Sequence, residues 1–171
     1  MKLIEERIRI IPDFPIPGIQ FRDITPVLSD PRAMGACIEA LAQPFRETGI
    51  TAVAGMEARG FIFGSLVASA LDVGFVPLRK PGKLPAEVVR VDYALEYGQA
   101  GLEVHRDALS TSSRVLVVDD LLATGGTARA ACELLGQLGA SVIACAFLIE
   151  LSALGGRERL DPVPLHTVLR Y

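Results

Sequence analysis

The chain has 171 residues, of which 50% are apolar and 22% are charged, and its formal net charge is −3. This length fits one domain with a buried aliphatic core, and we expect a single domain over residues 1–171. The net negative charge argues against a nucleic-acid partner, because non-specific binding to a phosphate backbone requires a basic surface. No apolar run approaches the roughly 20 residues of a membrane helix, which argues against a membrane partner.

The cysteines and the N-terminal residues indicate the compartment. Cys37, Cys132 and Cys145 lie in apolar surroundings without metal-ligand spacing. Such a sparse, odd-numbered set is typical of buried free thiols in a reducing compartment. Residues 1–7 carry acids in a helical pattern instead of the apolar run of a signal peptide. We therefore expect a soluble, cytoplasmic protein.

The N-terminal third combines a helical pattern with prolines. Apolar residues at helical spacing predict a short amphipathic helix over residues 3–11. Prolines and a glycine between positions 12 and 18 break it, and they predict an extended segment through Pro26. Ser29-Asp30-Pro31 is typical of a helix start, so a second helix is expected to follow and to place apolar residues from Met34 to Phe45 in the core.

Strands and helices alternate from residue 50 onward. The predicted strands cover residues 50–54, 74–78, 114–118, 142–149 and 166–169. The predicted helices cover about residues 61–71 and 127–138. The near-continuous β-branched run over 114–118 is typical of a strand buried on both faces. This alternation predicts an α/β fold in which helices flank a parallel sheet on both faces.

A polar stretch interrupts the alternation between Leu84 and Leu109. It contains only period-two fragments, such as Val89, Val91 and Tyr93. A long irregular segment in a compact domain is generally functional or disordered. We therefore predict a mobile lid over about residues 84–107.

The strongest chemical signal runs from Val115 to Thr127. A buried strand ends in Asp119 and Asp120, and a short loop rich in glycine and threonine then opens a helix. The free N–H groups of a helix N-terminus attract an anion, and glycines let the backbone approach a phosphate closely. The two carboxylates are placed to accept hydrogen bonds from vicinal sugar hydroxyls. Together these features describe a ribose 5-phosphate site.

Two other nucleotide-binding motifs do not fit the segment from Val115 to Thr127, whereas an interpretation without function does. A P-loop would require a lysine after its glycines, and a dinucleotide fingerprint would require Gly-x-Gly-x-x-Gly, and neither is present. An interpretation without function stays open: the acids merely end a strand, and Gly125-Gly126 forms a tight turn.

Two basic segments follow other predicted strands. Glu57-Ala58-Arg59 lies in a loop with a glycine at each end, directly after the strand over 50–54. Its guanidinium offers a planar fork of donors that suits phosphate oxygens, at the sheet edge where α/β proteins bind ligands. A third cluster, Arg79, Lys80 and Lys83, follows the next strand. The alternative for both is a solvated surface loop.

The segment from Val115 to Thr127 resembles the phosphoribosyl-pyrophosphate-binding signature of type I phosphoribosyltransferases. The resemblance implies their parallel sheet flanked by helices, with a small hood over about residues 1–30 and the lid described above. It implies ribose binding by Asp119 and Asp120. The residues that it implies for the 5-phosphate are Ala123, Thr124, Gly125, Gly126 and Thr127. The residues that it implies for pyrophosphate are Glu57, Ala58, Arg59, Arg79, Lys80 and Lys83.

Residues 13–26 and 94–98 are similar to segments of the family members that act on adenine. In those members the recognising atoms are largely backbone, at the positions of Gln20 and Arg22, and Phe21 can stack on the purine. From the residues alone, Phe21 would be a core residue. The resemblance covers essentially the whole chain. It implies a pentosyltransferase that makes AMP and pyrophosphate from adenine and 5-phosphoribosyl 1-pyrophosphate in purine salvage.

The resemblance also implies catalytic roles and partners. Glu96 is expected to assist proton transfer at the base and Arg59 to act on the leaving group, although Glu96 could instead be a solvated loop acid. Mg²⁺ is expected as cofactor, held mainly by substrate oxygens with no dedicated protein ligands, and a homodimer is expected. Residues 86–92 and Glu57-Ala58 depart from the typical family pattern. Two alternatives stay open: a phosphoribosyltransferase for another purine, and a non-catalytic nucleotide-binding regulator of the same fold.

Overall fold

The fold is described from a computed structural model, which covers residues 1–94 and 99–171. Within these residues the α-helices are α1 (Lys2–Glu5), α2 (Thr25–Leu28), α3 (Pro31–Ala42), α4 (Arg59–Ala70), α5 (Gly126–Gln137) and α6 (Gly156–Leu160). The strands of the same residues are β1 (Arg9–Pro12), β2 (Gln20–Asp23), β3 (Ala52–Met56), β4 (Gly74–Leu78), β5 (Val88–Ala94), β6 (Gln99–His105), β7 (Arg114–Leu122), β8 (Ser141–Glu150) and β9 (Leu165–Arg170). None of the helices in this described part is long and apolar enough to cross a membrane.

A five-stranded parallel sheet in the order β4-β3-β7-β8-β9 organises the fold. Successive residues of β7 point to opposite faces: Leu116 and Val118 pack with α3 and α4, whereas Val115 and Val117 pack with α5. All four side chains are fully buried. A strand covered on both faces needs apolar residues at every position, which explains the continuous run seen in the sequence. The predicted α/β fold with helices on both faces is confirmed.

The predicted helix over residues 3–11 is wrong beyond its first turn. The helix α1 ends at Glu5, and Arg9–Pro12 forms a strand that pairs antiparallel with β2, with Ile11 opposite Phe21. The Arg9 guanidinium reinforces this pairing, since its Nη2 lies 2.6 Å from Asp23 Oδ2. A non-local strand partner therefore overrides the local helical spacing.

The irregular segment predicted between residues 84 and 109 is instead largely an antiparallel hairpin of β5 and β6. The register runs from Val88 opposite His105 to Ala94 opposite Gln99. Val91, Leu102 and Val104 are buried against α5, because period-two alternation places them on one face. The predicted catalytic Glu96 belongs to residues 95–98 and lies outside the described residues.

Candidate active site

The carboxyl ends of β3 and β7 bring two of the predicted loops into contact. The two strands pair in parallel as far as Gly55 opposite Val118. The helix α4 begins at Arg59, and Arg59 Nε lies 2.8 Å from Asp120 Oδ2. The two aspartates lie within β7, which continues to Leu122, and do not follow it as predicted. The predicted pyrophosphate loop and the predicted ribose carboxylates are therefore joined by an ion pair.

Three adjoining cavities lie at this edge of the sheet, and two of them are lined by both members of the ion pair. The largest, here called the main cavity, measures about 670 Å³ and is lined by Glu57, Ala58, Arg59, Lys80, Asp119, Asp120 and Thr127, among others. The glycine cavity, about 100 Å³, is lined by the whole loop from Ala123 to Thr127. The hood cavity, about 70 Å³, is lined by Gln20, Phe21 and Arg22 together with Arg59 and Asp120. Leu121 lines all three, so the three predicted groups of residues share one continuous edge of the sheet.

The glycine cavity is shaped by close backbone packing. Gly125 caps α5 with φ +78°, a left-handed conformation that favours glycine. A Cβ on Gly125 would lie 2.7 Å from the carbonyl oxygen of Gly156, and a Cβ on Gly156 would collide with the carbonyl oxygen of Ala123. The N-terminus of α6 thus packs directly against the loop from Ala123 to Thr127. The first N–H groups of α5 lack intrahelical acceptors and face an anion-sized space.

The hairpin closes one side of this arrangement. The Tyr93 hydroxyl donates a hydrogen bond of 3.2 Å to Thr127 Oγ1, at the first turn of α5. Arg90 and Asp92 also line the main cavity, with Arg90 Nη2 2.7 Å from Asp92 Oδ1. Sequence reasoning missed the roles of Arg90 and Asp92 in lining this cavity. The alternation of Val89, Val91 and Tyr93 was the available signal, since it indicates a strand whose other face carries Arg90 and Asp92.

The two adjacent aspartates differ in their surroundings. Burial raises the pKa of Asp119 well above its ordinary value of 3.8, and the neighbouring Asp120 charge raises it further. Asp119 Oδ1 accepts a hydrogen bond of 2.9 Å from the Asp120 backbone N–H. A Cβ on Gly60 would lie 2.7 Å from the same oxygen, so Gly60 leaves the space that this carboxylate occupies.

The residues of the predicted basic cluster after β4 have different surroundings in the structure. Arg79 Nη2 lies 3.2 Å from Glu57 Oε1, and Arg79 Nη1 donates to the carbonyl oxygen of Lys83. Glu57 also accepts a hydrogen bond from the Lys80 backbone N–H, and these two bonds lower the pKa of its carboxyl. Of the cluster, Lys80 lines the main cavity, whereas Arg79 is directed at Glu57.

The strand β2 presents Gln20, Phe21 and Arg22 at the hood cavity. The Phe21 ring packs edge-on against Phe14 at 5.1 Å between centroids, and the Arg22 guanidinium lies 4.1 Å from the centre of the Tyr171 ring. These contacts hold the Phe21 and Arg22 side chains in place beside the hood cavity. The side chains also line the cavity, so Phe21 is half-buried and does not lie in the core.

The anchor of this strand is Asp23. Its Oδ1 accepts hydrogen bonds from the Thr25 hydroxyl at 2.6 Å and from the Thr25 backbone N–H at 2.9 Å, while Oδ2 binds Arg9. These interactions, led by the Thr25 hydroxyl, lower the pKa of Asp23 to about 2. The carboxylate therefore fixes β1, β2 and the start of α2 relative to one another.

The sequence and the fold of the chain are similar to those of known proteins. Residues 24–165 match the model of the phosphoribosyl transferase domain family. The chain is 63% identical over 171 residues to the adenine phosphoribosyltransferase of Methylococcus capsulatus, with 100% of both chains covered. The crystal structure of adenine phosphoribosyltransferase from Rhodothermus marinus superimposes with a TM-score of 0.93 at 53% identity, covering 99% of this chain and 97% of that one. The Saccharomyces cerevisiae enzyme, solved with an imino-altritol bisphosphate and adenine, gives a TM-score of 0.92 at 40% identity over 98% of this chain and 99% of that one.

Proposed function

The chain belongs to the phosphoribosyl transferase family, and on that basis we propose the reaction that its site performs. It transfers the 5-phosphoribosyl group of 5-phosphoribosyl 1-pyrophosphate to adenine, which yields AMP and pyrophosphate. The observation that carries this assignment is that three cavities meet at Leu121, and their lining residues are those proposed for the phosphate, for the sugar with its leaving group, and for the base. Full-length identity of 63% to an adenine phosphoribosyltransferase supports adenine as the base.

The glycine cavity takes the 5-phosphate in this proposal. The first N–H groups of α5 and the hydroxyls of Thr124 and Thr127 supply the donors, and the helix dipole favours the negative charge. With the phosphate fixed there, the ribose extends into the main cavity past Asp119 and Asp120. Their carboxylate oxygens accept hydrogen bonds from the two vicinal ribose hydroxyls, which sets the orientation of the sugar ring.

The leaving group lies on the far side of the main cavity. Arg59 and Lys80 line this side, and together with the Ala58 backbone they are the groups that we propose for pyrophosphate. We also propose that Arg79 and Lys83 contribute to the same site, with Glu57 orienting Arg79 through their ion pair. The planar guanidinium of Arg59 can donate two parallel hydrogen bonds to phosphate oxygens in a fixed bidentate geometry, whereas a lysine ammonium acts as a point charge without that geometry.

The chemical step is a displacement at the anomeric carbon. The bond from that carbon to the pyrophosphate oxygen breaks, and the bond to adenine N9 forms. Positive charge develops on the sugar ring, so the site has to stabilise the departing pyrophosphate and hold the base in line. We propose that the β2 backbone at Gln20 and Arg22 holds the adenine edge, that Phe21 stacks on the ring, and that Glu96 accepts the proton that adenine releases.

Mg²⁺ is the cofactor in this proposal. Among the residues that the structure describes, no group of three or more His, Cys, Asp or Glu side chains is arranged to hold a metal ion. We propose that substrate oxygens would hold most of the ion, and Asp119 and Asp120, two of the carboxylates that line the main cavity, add negative charge that favours a cation there. When bound, the ion adds positive charge beside the leaving group.

The proposal also covers the domain organisation, the oligomeric state, the cellular compartment and the metabolic role of the protein. We propose one domain over residues 1–171, a homodimer in the cytoplasm, a role in purine salvage, and no nucleic-acid partner. Exposed Ile62 and Leu66, one turn apart on α4, are an apolar surface that supports self-association. The cysteines are free thiols, which supports a reducing compartment.

The test is a turnover assay with each purine in turn. Purified protein is incubated with 5-phosphoribosyl 1-pyrophosphate, Mg²⁺ and adenine, hypoxanthine, guanine or xanthine, and both the nucleotide and pyrophosphate are followed. We expect AMP from adenine alone. Activity with another purine but not with adenine would overturn the base assignment. No product with any base, from protein shown to be folded, would favour the non-catalytic regulator.

A further inference from the structure

Two cysteines meet on the α5 face of the sheet. Cys132 lies on α5 and Cys145 lies on β8, an interior strand of the sheet, and their Sγ atoms are 3.5 Å apart. Cys145 is fully buried, whereas Cys132 is partly exposed. Neither thiol lines any of the three cavities described above.

We propose that Cys132 and Cys145 form an oxidisable dithiol, a modification site at which hydrogen peroxide converts two thiols into an intramolecular disulfide. The geometry supports this directly, since the two sulfur atoms are already in contact and one of them is reachable from solvent. The elements that carry them also pack against each other in one hydrophobic cluster, so the contact does not depend on a surface loop.

The two thiols differ in pKa, and this difference assigns each a separate role in the oxidation. A hydrogen bond from the Cys145 thiol lowers the pKa of Cys132, and the positive charge of Arg129, one turn earlier on α5, lowers it further. The same hydrogen bond, together with burial, raises the pKa of Cys145 well above its ordinary value. Cys132 is therefore the more acidic of the two thiols and the one that attacks first, and Cys145 is the thiol that keeps its proton until the second step.

The reaction proceeds in two balanced steps. The Cys132 thiolate attacks one oxygen of hydrogen peroxide, so an S–O bond forms, the O–O bond breaks, and the departing hydroxide takes up a proton to become water. The sulfur of Cys145 then attacks the Cys132 sulfenic acid. The S–S bond forms, the S–O bond breaks, and the Cys145 proton leaves with the hydroxyl group as a second water. Both thiols are oxidised and one peroxide is reduced.

Cys37 provides a control within the same chain. It is fully buried on the opposite face of the sheet, among residues of α3, α4 and β3. Burial raises the pKa of its thiol to about 12. It has neither a thiolate fraction near neutral pH nor a neighbouring cysteine among the described residues, so it is expected to resist the same treatment.

The test counts thiols before and after oxidation. Reduced full-length protein is treated with hydrogen peroxide, quenched with catalase, denatured and alkylated with N-ethylmaleimide, and then analysed by intact mass and peptide mapping. We expect the loss of two alkylatable thiols per chain, a linked peptide pair that contains Cys132 and Cys145, and recovery of both thiols with dithiothreitol. Cys37→Ala is expected to leave the linked pair unchanged.

Cys145→Ala separates the two steps. We expect it to abolish the linked peptides and to leave Cys132 as a sulfenic acid that dimedone captures. The proposal would be overturned if native protein accumulated sulfinic acid at Cys132 without any link to Cys145. Equal oxidation of Cys37, or links between separate chains only, would overturn it as well.

Discussion

Arg59 and Asp120 form an ion pair of 2.8 Å that joins the loop after β3 to the strand β7. The Asp120 carboxylate is buried, with 6% of the residue exposed, whereas 41% of the Arg59 side chain faces solvent. The guanidinium can therefore serve a ligand in the main cavity while it neutralises a largely buried carboxylate. This pair also lies on the shared wall of the main and hood cavities. It is the point at which the proposed leaving-group, ribose and base sites meet.

Arg59→Ala is expected to lower kcat/KM by a factor of roughly 100 to 1,000, a range typical for removal of one donor that stabilises developing charge. The departing pyrophosphate loses its planar donor, and Asp120 is left buried without a counter-charge. Arg59→Lys restores the charge without the fork and should recover only part of the activity. Steady-state kinetics with both substrates measure this. Turnover of Arg59→Ala close to that of the unmodified enzyme would remove Arg59 from the mechanism.

Asp119→Asn is expected to stabilise the fold while it lowers turnover. The pKa of Asp119 is raised above 3.8 by burial and by Asp120. The folded protein therefore binds this proton more tightly than the unfolded chain does, and it loses stability as pH rises from the unfolded value through the folded one. At pH 7 this loss is present, and asparagine removes it while its oxygen can still accept the bond from Asp120 N–H.

We expect the free energy of unfolding of Asp119→Asn to exceed that of the parent by about 1 kcal/mol at pH 7, with the difference vanishing below about pH 4. Denaturant unfolding at several pH values measures it. Asp120→Asn is the matched comparison, because it breaks the ion pair with Arg59 and should destabilise the fold. Destabilisation by both variants to the same extent at pH 7 would contradict the assignment of a raised pKa to Asp119.

Gly156→Ala is expected to raise the KM for 5-phosphoribosyl 1-pyrophosphate about tenfold, as a displaced phosphate site would. The new Cβ would collide with the Ala123 carbonyl oxygen, so the glycine-rich loop has to move away from α6. Gly136→Ala is the matched control, because a Cβ there meets nothing within 4 Å on the exposed face of α5. That control should keep its KM and gain roughly 0.5–1 kcal/mol of stability. An unchanged KM for Gly156→Ala would show that α6 does not support the loop.

The sequence predicts best those parts of the site whose signals are local. Asp119, Asp120 and the loop from Ala123 to Thr127 follow one another within a single strand–loop–helix unit, so spacing alone brings them to the edge of the sheet. The contribution of Gly156 could not be predicted in this way, since it depends on the packing of two loops that are far apart in the chain.

The contrast between local signals and contacts distant in the chain also explains which predicted elements were wrong. Residues 9–12 have helical spacing but pair with β2, and the partner that decides this, Asp23, lies beyond three prolines. The hairpin of β5 and β6 was visible only as short period-two fragments. Its strands are specified by burial of Val91 and Val104 against α5, a helix more than twenty residues further along the chain.

Asp23→Asn is expected to weaken the fold at neutral pH but not in strong acid. The pKa of Asp23 is lowered from 3.8 to about 2, so its ionised form is bound more favourably in the folded protein. This stabilisation is fully present above pH 4 and is lost as pH falls from about 4 towards 2. Thermal unfolding of both proteins between pH 2 and pH 7 measures it. The two midpoints should converge in the acid range, and a gap that stays constant down to pH 2 would contradict the lowered pKa.

Tyr93→Phe is expected to raise the KM for 5-phosphoribosyl 1-pyrophosphate several-fold without loss of folding. The Tyr93 hydroxyl donates to Thr127 Oγ1, which leaves the threonine hydrogen free to donate to a phosphate in the glycine cavity. A hydroxyl that accepts one hydrogen bond donates a stronger one. The hydrogen bond from Tyr93 to Thr127 and the hydrogen bond from Thr127 to the phosphate should therefore strengthen each other.

A double-mutant cycle measures this coupling. Thr127→Val removes the shared hydroxyl at nearly constant shape, and Tyr93→Phe should then have little further effect on the affinity for ribose 5-phosphate. Independent effects of the two substitutions would show that Tyr93 acts by packing alone. A coupled result would mean that Tyr93 and a phosphate in the glycine cavity act through the same hydroxyl of Thr127, so that the hairpin contributes to phosphate binding by this one contact.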